Sequence, residues 1–326
     1  MNKYLFVSDI HGRDTKLEED LTKIALGDEV PKIVFFLGDI LGTKSLDQLQ
    51  KLFYNGVVNP TRKFLEKKPS ATDIEILSHR ISDDNDKTIA DGGQEIWSFL
   101  FGDSNISAKD NIEYILELIE YQHFGHFCSN LPEPIRNDLK RDLEENAAVW
   151  IQIMNMFVER GTTVVIVEGN WDARNPLDFL PIKNAVKPTP IEDRDFCFKK
   201  FLKSKNSQIL YFDQVGTIET ENEIFVLWPF DSAVEATMVP EFEDEETRKI
   251  ILVSHAQIDW KSINGDKPMT AEGRKIQDNM PMTFKDVKAN TAVHGHLHTD
   301  IDSDGYSFNG KFIHYLPMRS LRYIDF

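Results

Sequence analysis

The sequence predicts a layered α/β fold. Three observations predict it. The N-terminal stretch reads strand, helix, strand. The same kind of short apolar run, ending in a polar residue, returns at least five times downstream. Between these two regions lies a long span with helical patterning and no comparable strand run.

The first run, "YLFVSD" (4 to 9), is apolar and stops in a polar turn, as a buried strand does. "DTKLEEDLTKIAL" follows, with Leu17, Leu21, Ile24 and Ala25 at helical spacing, and Thr15 and Glu18 fit a capping box at its start. "KIVFFLGD" (32 to 39) is a second buried strand, which completes a βαβ unit. The grammar returns at "TTVVIVEGN" (162 to 170), "IFVLWPF" (224 to 230), "KIILVSHA" (249 to 256), "TAVHGHLH" (291 to 298) and "KFIHYLP" (311 to 317). Gly161 stops the helix that precedes the first of these.

The span from 43 to 160 reads as a mostly helical insertion between two core segments, 1–42 and 161–326. Ile112, Ile115, Leu116 and Ile119 mark one amphipathic helix, and Val149, Ile153, Met156 and Phe157 another. "SHRISDDNDKTIADGG" (78 to 93) is polar and reads as a loop. Sequence leaves open whether the insertion is a separate domain or a cap on the core.

Composition narrows the function. The chain has 326 residues, 54 acidic against 37 basic, for a net charge of −17. That balance repels phosphate backbones and disfavours extended nucleic acid as a partner. Cys128 and Cys197 have no second cysteine nearby, which excludes a disulfide framework and a cysteine–zinc cage. Reduced cytoplasm is the expected setting. No apolar run reaches membrane-spanning length, so no membrane partner is expected.

"HGHLH" (294 to 298) places three of the nine histidines in five positions. Alternate residues on an extended segment face one way, so His294, His296 and His298 fall on one side if a strand end continues through them. Histidine is the commonest metal ligand. Other apolar runs also end in metal-competent groups: Asp9, with His11 just beyond, Asp39, Asn170 and His255. Open α/β sheets bind ligands outside the carboxyl ends of their strands. An oxygen and nitrogen set without thiolate suits Mn²⁺, Fe²⁺ or Zn²⁺. Seven such groups are too many for one catalytic ion, which keeps an open position, and suit two ions if a carboxylate bridges.

"SDIHG", "GDILG", "GNWD", "SHA" and "HGHLH", in this order, resemble the motifs of the calcineurin-like metallophosphoesterase superfamily. The resemblance covers roughly 1 to 42 and 160 to 320. It implies a two-sheet β-sandwich flanked by helices, with two divalent metal ions above the sheet ends. It implies that Asp9, His11 and His298 bind one metal, that Asp39 bridges, and that Asn170, His255 and His296 bind the other. It implies in-line attack on a phosphoester by a bridging hydroxide. His294 is expected in a buried or supporting role.

Three departures shape the expectation. Many family members carry a histidine after Gly-Asn that helps protonate the leaving group, where this chain has Trp171. Such help is worth about 10²–10⁴-fold. Asp172 is the candidate replacement, with His79, His123 and His126 of the insertion as others. "GDILGTK" lacks the arginine of the phosphoprotein phosphatases. The gap from Asp39 to Asn170 is longer than usual, which makes the insertion the expected seat of substrate choice. Arg13 and Arg174 flank motif loops and are candidates to bind substrate phosphate, with surface ion pairing as the alternative. Arg319, after "YLP", is left between a site role and none.

The expected function is a phosphodiesterase acting on a phosphoester small molecule or nucleotide. A phosphomonoesterase or nucleotidase on the same site is the alternative. A non-catalytic protein-binding scaffold of the same fold, like the retromer subunit that shares it, is the alternative from another class. A protein partner of the insertion fits either.

Overall fold

The structure is a computed structural model. It describes residues 4–81, 97–98, 100–102, 107–129, 131–173, 198–205, 208–230, 240–242, 247–259, 280–296 and 304–326. In chain order the first elements are β1 (Tyr4–Ser8), α1 (Thr15–Leu26) and β2 (Ile33–Phe36). The helical span then gives α2 (Lys44–Phe53), a wider π-turn at Tyr54–Val58, α3 (Asn59–Leu65), α4 (Ala71–Ile81), α5 (Ala108–Ser129) and α6 (Glu133–Glu159). The chain returns with β3 (Thr163–Val167), the short α7 (Asn170–Ala173), α8 (Phe198–Ser204), β4 (Leu210–Phe212), β5 (Gly216–Glu219), β6 (Glu223–Trp228), β7 (Lys249–Ser254), β8 (Thr291–His294), β9 (Gly305–Phe308), β10 (Lys311–Tyr315) and β11 (Ser320–Ile324). Residues 280–286 form a further helix before β8.

These strands make two mixed sheets. The first runs β11-β1-β2-β3-β4, parallel except for β11 against β1. The second runs β5-β6-β7-β8-β10-β9, parallel through its centre with antiparallel edges. Tyr4, Phe6, Phe35, Val165 and Val167 of the first sheet share one buried cluster with Phe225, Leu227, Ile251, Val253 and Val293 of the second. The sheets therefore pack face to face. Helices cover both outer faces, which leaves the central strands buried on both sides and apolar at nearly every position.

The helical span shares its core with the first sheet. One apolar cluster joins Val34 and Phe36 of β2, Leu17 and Leu21 of α1, Leu46 and Phe53 of α2, and Leu143, Trp150, Met154 and Phe157 of α6. Ile112, Leu116 and Ile119 of α5 are buried, as are Ile153 and Phe157 of α6.

Two local expectations are corrected. The cap of α1 is Asp14, whose side chain accepts from the Leu17 N–H, and not Thr15. Aspartate one residue earlier makes the same bond, and Glu18 turns to Arg13 instead. The polar stretch 78–93 begins as the last turn of α4, and its remainder lies outside the described residues. Among the described residues no helix is long and apolar enough to cross a membrane.

Candidate metal centre

Five of the expected ligands lie just beyond strand ends, not within the strands. Asp9 follows β1 and His255 follows β7. Asp39 comes three residues after β2, Asn170 three after β3, and His296 two after β8. β1, β2 and β3 run parallel, as do β7 and β8, so each group's loops leave one end of its sheet. The chain departs from extended geometry at these residues. Asp9, His11, Asp39 and His296 have φ of 43°, 47°, 49° and 71°. Left-handed backbone at a non-glycine residue costs about 1–3 kcal/mol and persists where neighbours dictate it. Four such residues in one cluster mark a built site.

His296 shows that alternation along a strand does not relate it to His294. β8 ends at His294, and the chain turns through Gly295. A side chain at Gly295 would collide with the Ser8 hydroxyl and the Asp9 carboxylate. That close approach lets the His296 N–H reach both Asp9 carboxylate oxygens at 2.9 Å. His294 points elsewhere, with Nε2 2.9 Å from the Tyr306 hydroxyl. Its ring is fully buried, which pushes its pKa down to about 4. It is a buried neutral histidine, which matches the buried arm of the expectation.

The ligand atoms fall into two groups that share one residue. Asp9, His11 and Asp39 form one, and Asp39, His255 and His296 the other. In each, one donor atom per residue lies within 4.8 Å of the rest. Asp39 Oδ2 is 3.4 Å from His11 Nε2 and 3.5 Å from His255 Nε2. Its Oδ1 accepts the Trp171 N–H at 2.8 Å. One oxygen is thus fixed by backbone while the other faces both histidines.

The donor set fits a cation. His255 Nδ1 lies 2.6 Å from the Leu37 carbonyl, which can only accept, so Nδ1 carries the proton. The Nε2 lone pair then faces Asn170 Oδ1 at 2.8 Å and His296 Nδ1 at 2.9 Å. A cation among these groups satisfies all of them, and the Leu37 contact is the outer partner that sets a ligating histidine's tautomer. Asp9, Asp39 and Asp172 are all at least 96% buried. Burial pushes Asp9 up to about 7, against hydrogen bonds from Ser8 and His296. Buried carboxylates of this kind are normally paired or bound to metal.

The other expected site residues separate. Asp172, the candidate leaving-group acid, is buried and bonded to backbone. Its carboxylate accepts the N–H groups of Ile40 and Leu41 on Oδ1, at 3.0 and 3.1 Å, and of Gly169 on Oδ2 at 3.3 Å. Burial raises it to about 6 against these bonds. These bonds tie the loop after Asp39 to the loop before Asn170. Arg13 makes a two-point ion pair with Glu18, 2.5 Å from Nε and 2.7 Å from Nη2, which is the surface alternative. Trp171 is half-buried and stands edge-on to His11, ring centres 5.8 Å apart, as a wall of the site. His298 and Arg174 lie outside the described residues, as do the side chains of His79, His123 and His126.

Sequence reasoning missed two of the three residues that hold the loops and left the third, Arg319, open. Trp150, Asn146 and Arg319 each donate to a loop carbonyl from far along the chain. Only Arg319 carried a signal, its place after "YLP".

No protein-family model matches the chain, and no curated protein matches it. A solved crystal structure is similar at 10% sequence identity and a TM-score of 0.43, over 100% of this chain and 99% of that one.

Proposed function

We propose that the protein is a metal-dependent phosphoester hydrolase of the calcineurin-like kind, acting on phosphodiesters. One observation carries the reading: Asp39 Oδ2 stands between two ligand groups that would otherwise be separate sites. A shared carboxylate between two nitrogen-rich groups suits a pair of divalent ions. The order of the five motifs supports the same reading.

Asp9 and His11 would hold one ion, with His298 as the further ligand that the resemblance implies. Asn170, His255 and His296 would hold the other, and Asp39 both. Two bound divalent ions supply Lewis-acid activation of water and of phosphoryl oxygens. The chain's own contribution is placement. The Leu37 carbonyl orients His255, the Trp171 N–H orients Asp39, and the His296 N–H anchors Asp9. Trp171 walls the site beside His11 and offers no acid, so the reading favours esters with a good leaving group.

The test is hydrolysis of bis-p-nitrophenyl phosphate beside p-nitrophenyl phosphate, with Mn²⁺ and after chelation, and Asp39→Asn as control. Metal-dependent turnover of the diester, lost in the variant, is expected. Turnover mainly of the monoester moves the reading to a phosphatase or nucleotidase. No turnover of either, with metal bound, favours the scaffold.

A further inference from the structure

The loops that carry His11 and Asp39 are bonded to each other. The His11 N–H donates to the Asp39 carbonyl at 2.7 Å, and the Gly12 N–H to the Ile40 carbonyl at 3.2 Å. They meet so closely that a side chain on Gly12, where φ is +87°, would collide with the Gly42 carbonyl. These bonds leave the Gly12 and Gly42 carbonyls free to accept from outside.

Helix α6 supplies both donors from successive turns. The indole N–H of Trp150 donates to the Gly12 carbonyl at 2.8 Å. One turn earlier, the Asn146 amide donates to the Gly42 carbonyl at 2.9 Å. Residues four apart share a helix face, so one face of α6 addresses both loops. Trp150 is fully buried within the apolar cluster. Packing alone would be met by any large apolar side chain there. The two aimed N–H groups are more than packing requires.

We infer that Asn146 and Trp150 are positioning residues for the ion held by Asp9, His11 and Asp39. This rests on the dimetal reading. The pair fixes the Gly12 carbonyl, next to His11, and the Gly42 carbonyl, three residues past Asp39, and so holds the two loops in which both ligands take left-handed backbone. It ties the metal affinity of one half of the centre to the helical span. The half built on His255 and His296 makes no contact with these donors among the described hydrogen bonds. It shares only Asp39 with the loops they hold and should respond less.

The test is calorimetric titration of Mn²⁺ into the chelator-stripped full chain. Variants are Trp150→Phe, which keeps a ring and removes the N–H, and Asn146→Leu. His11→Ala and His255→Ala assign the two binding steps. Loss of an outer partner costs about 10–100-fold in metal affinity. The step removed by His11→Ala should weaken by that factor in both variants, while the step removed by His255→Ala, which shares only Asp39, weakens less. Asn146→Gln, which keeps the donor, should recover part of the loss. Should Trp150→Phe not fold, half-buried Asn146 decides the matter. Unchanged titrations in the variants overturn the inference and leave the dimetal reading standing. Equal weakening of both steps also overturns it, since that marks general loosening. A wild-type chain that binds no Mn²⁺ overturns both.

Discussion

Arg319 holds the backbone of His11: its Nη2 donates to the His11 carbonyl at 3.2 Å, and its Nε to the neighbouring Ile10 carbonyl at 3.1 Å. Its own N–H returns to the carbonyls of Ser8 and Asp9. Together with Trp150 it gives three consecutive carbonyls, 10 to 12, a side-chain donor each.

Lysine cannot reproduce this fork, because a single ammonium does not span two carbonyls in fixed geometry. Arg319→Lys should lower stability by on the order of 1.5 kcal/mol, the scale of a hydrogen bond to a charged group. Urea midpoints measure this. Mn²⁺ binding should weaken alongside. A variant equal to wild type in both would deny the guanidinium its role.

Asp172→Asn replaces one carboxylate oxygen with an amide that cannot accept the N–H groups now facing it. If Asp172 is a scaffold for two loops, turnover of good and poor leaving groups should fall by the same factor, about 10–100-fold. A general acid behaves otherwise: its loss spares p-nitrophenolate and penalises an alkoxide. Comparing the two ester classes in one variant separates the roles.

Gly295→Ala should disable the Asp9 side of the site. The added methyl meets the Ser8 hydroxyl and the Asp9 carboxylate, and neither has room to retreat. Overpacking of this kind costs about 1–3 kcal/mol. Thermal unfolding and Mn²⁺ titration should both show the loss, and an Ala variant that binds metal normally would contradict the packing described.

His314 sets a pH dependence away from the site. Burial, aided by Arg322 and opposed by Asp304, pushes it below the ordinary value of 6.5. Above 6.5 both folded and unfolded chains carry a neutral ring and nothing is lost. Below it the unfolded chain takes up a proton that the folded ring resists, so stability falls with pH. His314→Phe, against Phe312 and Phe326, should flatten the decline between about pH 7 and 5. Parallel denaturation curves at the two pH values test it.

Central strands were legible because burial on both faces makes them plain apolar runs, as at Val164–Val167 and Ile250–Val253. Edge strands such as "GTIE" (216 to 219) and "GYSF" (305 to 308) were not, since they are half-exposed, lack an apolar run, and at four residues are too short for their alternation to stand out. The same logic divides the site. Asp9, Asp39, Asn170, His255 and His296 announce themselves by chemical type at the ends of runs. Asn146 and Trp150 act on backbone carbonyls over a hundred residues away, and a carbonyl leaves no trace in residue type. Asp172 was visible as a carboxylate, but its partners are backbone N–H groups, so its contacts were not.

The pairing of β1 with β11, Tyr4 opposite Ile324, has a consequence for birth order. Ribosomes add about 5–20 residues each second, so β1 meets β2 early but waits on the order of 15 to 60 seconds for β11. Asp9 and His11 emerge early, and Trp150 and then Arg319 arrive long after them. A nascent chain therefore carries Asp9 and His11 for that interval without the donors that bond to their loop, which come from far later in the chain.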